Sequence, residues 1–373
     1  MPDLKCDVAV IGAGPAGSTT ALTIARQGFD VLLVEKDDYP GKTNVCAGGT
    51  SQSIIKDLGL SPTLVEKEIR GGKHYFPWGL KSSNLRGITV YRNVFDRGLA
   101  EKAVEEGSKL LTRTMIKEVT IKSDRIQIKS KESSIDSKLV VFADGPHTLA
   151  HRRFGIGFEP RSDTTCISAV CEVRWEDNPL DQTEFYYGYE ISPWGYGWIF
   201  PKRNTVNVGV GCLHSELNTN IIDSLNYLLR KHPLTHEKLK GKEIVWLRAA
   251  LIPVAHAQKI FDERMLVVGD AAGMVDPVTG GGILHAINGG MLAGSIACDA
   301  LEKDDCSARF LARYQQLWQR TPDFSFIYSK YLLSNLFLYL FKFDKSAYPK
   351  LAALTLGGIR QVMSTLKFIY LNK

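Results

Sequence analysis

Nothing in this 373-residue chain approaches the ~20 consecutive apolar residues of a membrane-spanning helix. The longest apolar candidate, residues 331–341, is shorter and carries Ser334 and Asn335. Metal-ligand patterning is missing too. The seven cysteines (Cys6, Cys46, Cys166, Cys171, Cys212, Cys298 and Cys306) include no Cys-x-x-Cys pair, so no metal site is expected. An odd, scattered set reads as reduced thiols and points to a cytoplasmic protein. Charge of one sign is scarce: 46 Lys and Arg stand against 40 Asp and Glu. Seven basic residues and one acid lie between Lys330 and Lys373, which accounts for the whole excess of +6. A body without net charge argues against a polyanion binder, and no nucleic-acid partner is expected. There is no internal repeat. The opening apolar run breaks at once into a glycine loop, so it does not read as an export signal.

Glycine, by contrast, is placed with purpose. An apolar run, Val8 to Ile11, ends at Gly12-Ala13-Gly14-Pro15-Ala16-Gly17. A helix carrying Ala21, Leu22 and Ile24 follows, Gly28 stops it, and a second apolar run, Val31 to Val34, delivers Glu35. Gly12 permits the tight turn, Gly14 lets backbone approach a pyrophosphate, and Gly17 lets helix and strand pack closely. The helix N-terminus suits the pyrophosphate charge, and Glu35 is placed to accept hydrogen bonds from a ribose. Strand, glycine loop, helix, strand and acid in this order read as a dinucleotide site.

Further along, residues 110–121 and 125–129 alternate as strands around a Ser123-Asp124 turn, and 139–143 form a buried strand ending at Asp144-Gly145. From about Pro160 the texture changes to alternating segments, expected to form an antiparallel sheet with one apolar face. A buried-strand pattern returns at 265–268, followed by a small-residue helix over 283–301, and 307–373 are mostly helical. The fold class is therefore α/β with two domains: a discontinuous Rossmann-type dinucleotide-binding domain, an inserted antiparallel β-sheet substrate domain and a C-terminal helical segment. The expected bounds are 1–72, 88–160 and 253–302 for the first, 73–87 and 161–252 for the second, and 303–373 for the third.

Three segments act as partners of the glycine loop. Arg92 precedes a helix where a cation meets the phosphates, or else is a solvated surface arginine. Asp144 sits at a strand exit, which alone says little. Gly269-Asp270-Ala271-Ala272-Gly273 ends a strand with an acid suited to a ribityl hydroxyl, and Pro277 and Gly280-Gly281-Gly282-Ile283 open a second helix N-terminus. Taken together, residues 5–300 resemble the two-domain FAD proteins of the glutathione-reductase/aromatic-hydroxylase superfamily. The resemblance implies bound FAD, with Lys36 and Ile116 bordering the cofactor along with the residues just named. No second GxGxxG offers a resident nicotinamide site.

Gly195-Tyr196-Gly197-Trp198-Ile199-Phe200-Pro201, with Gly209-Val210-Gly211 beyond it, narrows the reading. In a strand Tyr196, Trp198 and Phe200 share one face, where they either wall an apolar slot or pack as ordinary sheet core. This stretch is similar to the YxWxFP…GxG signature of the geranylgeranyl reductase family, flavoenzymes that saturate isoprenoid double bonds. The loop Lys42-Thr43-Asn44-Val45-Cys46-Ala47-Gly48-Gly49 resembles that family's Cys-Gly-rich loop beside the flavin. The resemblance implies that Cys46, Ala47 and Gly48 border the flavin ring, and that Tyr196, Trp198, Phe200, Gly209 and Gly211 face the prenyl chain. Cys46 also fits a small buried hydrophobe. The tail positions Leu332, Leu333, Leu336, Phe337, Leu340 and Phe341, between Lys330 and Lys342/Lys345, suit either an anionic membrane surface and the mouth of a lipid tunnel, or a helix packed on the FAD domain with its lysines in water.

The implied activity is reduction of isoprenoid C=C bonds in a prenylated membrane lipid. Hydride comes from reduced flavin N5 and a proton reaches the other alkene carbon, with Cys46 or Tyr196 the candidate proton carriers and Trp198 beside them. The implied partners are the prenylated lipid, an external electron donor (ferredoxin, NADPH or a deazaflavin-like carrier) and a membrane surface met by the basic C-terminal helices. Three alternatives share the fold: a flavin monooxygenase or halogenase, whose WxWxIP strand differs at Tyr196 and Phe200; a prenyl-binding protein of the Rab-escort type, disfavoured by the intact Glu35 and Asp270; and a reductase of a polyprenyl quinone side chain.

Overall fold

The computed structural model describes residues 3–43, 45–341 and 343–356. One sheet runs Phe261–Asp262, Met265–Val267, Ser134–Phe142, Asp3–Ile11, Val31–Val34, Lys109–Leu111. Along this path the pairs are parallel except at the Phe261–Asp262 edge. Parallel strands are covered on both faces, and Val8, Val10, Leu33 and Val141 are accordingly fully buried. Each such side chain contributes ~1.5–3 kcal/mol of burial. Helix Pro15–Arg26 covers the sheet and packs on helix Ile283–Glu302, so closely that a Cβ at Gly290 would lie 2.5 Å from the Ala16 carbonyl oxygen.

The continuous strand expected over 110–121 is broken. The sheet strand ends at Leu111, Arg113 turns with φ 54°, and pairing resumes only at Glu118–Ile121, in a meander with Ile126–Lys129 and Ser134–Phe142. The crossing segment is pinned at the sheet's end: the Arg113 amide donates to the Asp37 carbonyl and the Thr114 amide to the Glu35 carbonyl, both at 2.9 Å. Alternating residues carry no sign of such a change of sheet partner.

The second sheet runs Ile244–Pro253, Thr165–Arg174, Thr205–Leu213, Gly195–Pro201, Thr183–Tyr186, Gly72–Phe76, Gly79–Ser83, antiparallel save for the pair Thr183–Tyr186 with Gly72–Phe76. One apolar face was expected; both are apolar. Ala169, Cys171, Ile199, Val206, Val208 and Val210 pack under helix Ile221–Arg230 through Leu225 and Leu228. The opposite face is aromatic and is roofed by Leu333 and Phe337 of helix Pro322–Phe341 and by Tyr348 and Leu351 of helix Ala347–Thr355.

Lys330 is not the surface cation that the tail reading required. It is buried and paired with Asp276 at 2.6 Å. Lys345 and Lys350 are exposed, whereas Lys342, Arg360, Lys367 and Lys373 lie outside the described residues. No described helix is long and apolar enough to cross a membrane.

Candidate active site

At the dinucleotide end, each glycine of the loop meets a different constraint. Gly12 has φ 101°, and a Cβ there would lie 2.3 Å from the Ala143 carbonyl oxygen; at Gly17 it would meet the Gly12 carbonyl oxygen at 1.8 Å. Gly14 faces open space. The Glu35 carboxylate accepts the amides of Ala13 and Asp37, each at 3.0 Å, which ties the second strand's end to the loop. Lys36 is exposed, Ile116 is buried in the segment crossing beside Glu35, and Asn44 lies outside the described residues.

The arrangement fits a dinucleotide on two further grounds. Helices Pro15–Arg26, Arg92–Glu105 and Ile283–Glu302 begin here without a side-chain cap and without an acid in the first turn. Helices Ile221–Arg230 and Ala308–Gln319, away from the site, are capped by Asn220 and Ser307. Bare amides at the three inner helix starts leave positive ends for an anionic ligand. Asp144, just past strand Ser134–Phe142, accepts the Leu149 amide through Oδ2 at 2.7 Å, while its buried Oδ1 has no partner among the described residues. Burial raises its pKa against that amide's pull. Burial likewise raises the pKa of Asp270, opposed by the Arg92 charge.

The loop from Asp276 to Gly282 is shaped by Asp276, which the sequence did not single out. Its Oδ1 accepts the Val278 amide at 2.9 Å and the Thr279 amide at 3.3 Å; its Oδ2 accepts the Thr279 hydroxyl at 2.7 Å and the Lys330 ammonium. Pro277 is half-buried inside this turn, and Gly280 and Gly281 stay exposed beyond it. Asp270 Oδ1 lies against Gly282, next to Ile283, and Gly269 packs on Ala16.

Facing these residues is the Cys46 loop. Gly48 has φ 79° and would clash through a Cβ with the Val90 carbonyl oxygen at 2.1 Å; Gly49 lies under the Phe200 ring, 2.6 Å from where its Cβ would be. The loop thus threads between the strand leading to Arg92 and the aromatic sheet, with Ala47 packed on that sheet. The Gly48 amide donates to Cys46 Sγ at 3.4 Å. Arg92 does not stand free in water. Its guanidinium is held by Asp96 through two bonds of 2.7 and 2.9 Å and interacts with Cys46 and Asp270. Burial works against its charge, yet Asp96 and then the Cys46 sulfur outweigh it and raise its pKa.

Tyr196, Trp198 and Phe200 share the face turned to this loop. Trp198 lies flat over Gly209, where a Cβ would meet the indole at 2.2 Å, and Gly211 sits beside it under Cys166. Both glycines therefore seat the tryptophan; the structure does not place them at an open wall. Trp198 Nε1 donates to Asn207 Oδ1 at 2.9 Å, and Asn207 Nδ2 donates to Glu172 at 3.0 Å and to the Cys46 carbonyl at 3.4 Å. Glu172 also accepts from Lys202 at 3.0 Å and from Thr205, in a pair with both side chains 2 % exposed. This polar cluster escaped the sequence reading because buried charges look like surface charges there. The clue was Asn207, a polar residue inside an otherwise apolar strand.

The Tyr196 hydroxyl donates to the Thr279 carbonyl. Burial pushes its pKa well above the ordinary tyrosine value, with Tyr187, Cys166, Asp276 and Cys46 adding to the effect. From Trp198 outward the rings form a train: Trp198 to Tyr196 at 5.7 Å between centroids, Tyr196 to Tyr187 at 5.8 Å, Tyr187 to Phe76 at 4.5 Å and Phe76 to Trp78 at 5.1 Å. Phe185 bridges Tyr196 and Phe200.

Comparison with known proteins bears on the chain as a whole. The model of the FAD binding domain family matches residues 5–316. A digeranylgeranylglycerophospholipid reductase of Methanosarcina acetivorans is 34% identical over 336 residues, covering 84% of this chain and 81% of that protein. The Methanocaldococcus jannaschii protein of the same name is 32% identical over 342 residues, covering 88% and 85%. Among solved structures, a geranylgeranyl bacteriochlorophyll reductase-like protein of Thermoplasma acidophilum superposes with a TM-score of 0.85 at 25% identity, covering 97% of this chain and 96% of that one. A flavin-dependent brominase shares the fold, with a TM-score of 0.76 at 19% identity over 99% and 100% of the two chains.

Proposed function

This chain belongs to the FAD binding domain family and, within it, with the digeranylgeranylglycerophospholipid reductases, and from that premise we propose that it saturates geranylgeranyl C=C bonds in a prenylated membrane lipid. It is a flavin-dependent oxidoreductase, and its cofactor is FAD. The observation that carries the reading is the meeting of two surfaces at the Cys46 loop. On one side lie the uncapped helix starts and acids that suit FAD; on the other lies a buried train of aromatic rings that suits a long apolar chain.

FAD held by the Gly12–Gly17 loop, Glu35 and Asp270 would supply the hydride, and an external reductant such as ferredoxin or NADPH would restore it. The chain's own residues meet the other demands. An isolated trisubstituted alkene must take a proton, and positive charge builds at its tertiary carbon. The faces of Tyr196 and Trp198 stabilise that charge in a site from which water is excluded. The candidate proton carrier is Cys46, whose Sγ accepts the Gly48 amide and lies beside the Arg92 guanidinium. Tyr196 serves less well as the acid, because its hydrogen is committed to the Thr279 carbonyl and burial disfavours the phenolate. Tyr196 instead positions the flavin loop against the sheet. Exposed Trp78, Leu80, Tyr339 and Phe343, with Lys81, Lys345 and Lys350 near them in the chain, support contact with an anionic membrane surface. The halogenase reading rests on fold likeness alone.

The test is anaerobic incubation of the FAD-loaded protein with dithionite and a geranylgeranyl-bearing phospholipid. Mass spectrometry should show two hydrogens gained per bond reduced. An unchanged lipid mass, with the flavin fully reduced, would reject the assignment.

A further inference from the structure

A cavity of about 400 Å³ opens where the hairpin Gly72–Phe76/Gly79–Ser83 meets the two C-terminal helices. It is lined by the apolar side chains of Trp78, Phe337, Phe341 and Leu354 and by the two lysines Lys81 and Lys350. Building on the reductase reading, we infer that this cavity receives the anionic headgroup of the lipid substrate, with its phosphate held between Lys81 and Lys350.

Three observations carry the inference. First, the cavity is continuous with the proposed chain path. Trp78 is the outermost ring of the train that ends at Trp198, and Phe337 belongs both to the cavity wall and to the buried aromatic cluster around Trp198. A lipid seated here with its phosphate at the mouth directs its tail along the rings toward the Cys46 loop. Second, the charge is complementary. Lys81 has no ion pair among the described residues and stands 6.0 Å from the Phe76 ring, and Lys345 lies close by in the chain over Tyr189. The nearby acid, Asp344, binds Lys350 at 2.9 Å and is itself tied to the amide and hydroxyl of Ser346, so it orients Lys350 and does not offset Lys81. Third, a lining that is mostly apolar and includes two lysines matches an amphiphile that joins an apolar chain to one anionic group. A fully polar anion would gain nothing from Trp78 and Leu354.

The experiment compares two substrates with the same prenyl chains, a digeranylgeranylglyceryl phosphate lipid and the neutral digeranylgeranylglycerol, using flavin reoxidation by the dithionite-reduced holoenzyme. The unmodified protein should show a KM about tenfold lower for the phosphorylated lipid. The double variant Lys81→Glu/Lys350→Glu should erase that preference by raising the KM for the phosphorylated lipid, with little change for the neutral one. Lys81→Met/Lys350→Met should give an intermediate loss and guards against misfolding. An equal change on both lipids, or none on either, would overturn the site. If neither lipid is reduced even by the unmodified protein, the reductase reading falls and equilibrium binding decides the site. Titration with the phosphorylated lipid should quench the fluorescence contributed by Trp78, defined against Trp78→Phe, and the charge reversal should abolish the quenching. Quenching that survives charge reversal, or none at all, would overturn the site, as would equal competition by millimolar inorganic phosphate, which would mark a simple anion site.

Discussion

Replacing Lys330 by Met tests how the C-terminal roof is fastened to the flavin loop. The ammonium sits 2.6 Å from Asp276 Oδ2, with the two side chains 10% and 4% exposed, so it is a buried pair. Removing one member of such a pair costs ~3–5 kcal/mol when the other is left uncompensated. Asp276 would retain the Val278 and Thr279 amides and the Thr279 hydroxyl, so the expected loss is smaller, about 2–3 kcal/mol. Met keeps the apolar stem over Phe326, where the ammonium now lies 4.1 Å from the ring centroid, which confines the change to the charge. Urea unfolding followed by circular dichroism gives the stability. Flavin fluorescence in the same titration reports release of FAD, which should begin at lower urea than global unfolding because Asp276 shapes the turn before Gly280. The control is a cycle with Asp276→Asn. If the pair acts as described, the double variant is better than additive by about 2 kcal/mol. Additivity within ~0.5 kcal/mol would refute the coupling.

Asn207→Ala leaves the buried Trp198 Nε1 without an acceptor and the Cys46 carbonyl without its Asn207 donor, and should cost about 2 kcal/mol in urea with a changed near-ultraviolet dichroism of tryptophan; unchanged stability and spectrum would mean the network is incidental. His74, stacked on Phe185 at 4.6 Å and bonded to Tyr187 and Ser83, has its pKa pushed down from 6.5 to about 4 by burial. The unfolded chain therefore takes up a proton that the folded one refuses, so stability is full above about pH 6.5 and falls progressively toward pH 4. His74→Gln should flatten that part of the stability–pH curve, and an unaltered slope would show that the histidine is not its source.

The parts of the molecule that are periodic in sequence were legible in it. Val8 to Ile11 and Val31 to Val34 are uninterrupted apolar runs because parallel strands bury both faces, and they pair as adjacent strands in register. Tyr196, Trp198 and Phe200 share a face because a strand repeats every two residues. What escaped were particular side-chain contacts between elements far apart in the chain. Lys330 belongs by position to a basic tail and by structure to Asp276, 54 residues earlier. Glu172, Thr205 and Asn207 from two neighbouring strands meet Lys202 of the turn before Thr205, beneath Trp198. Periodicity reports which way a side chain faces, not what stands opposite. The break at Arg113 was hidden for the same reason, since its cause is the backbone of Glu35 and Asp37, just beyond strand Val31–Val34.

These hidden contacts converge on one short loop, and this explains why the tail is part of the site and not an appendage to it. The turn from Asp276 to Gly282 leads into the uncapped helix Ile283–Glu302. It is gripped from the sheet by the Tyr196 hydroxyl on Thr279, and from the roof by Lys330 on Asp276 and the Tyr348 hydroxyl on Val278. One turn further on, His285 and Asn288 bind Asp323 at the start of the roof helix. The same helices bury the aromatic face through Leu333, Phe337 and Leu351. On the proposed reading, a prenyl chain entering along the rings would displace those side chains, whose helices are anchored on the Asp276–Gly282 loop. Substrate entry and cofactor seating would then be linked through backbone that neither ligand needs to touch.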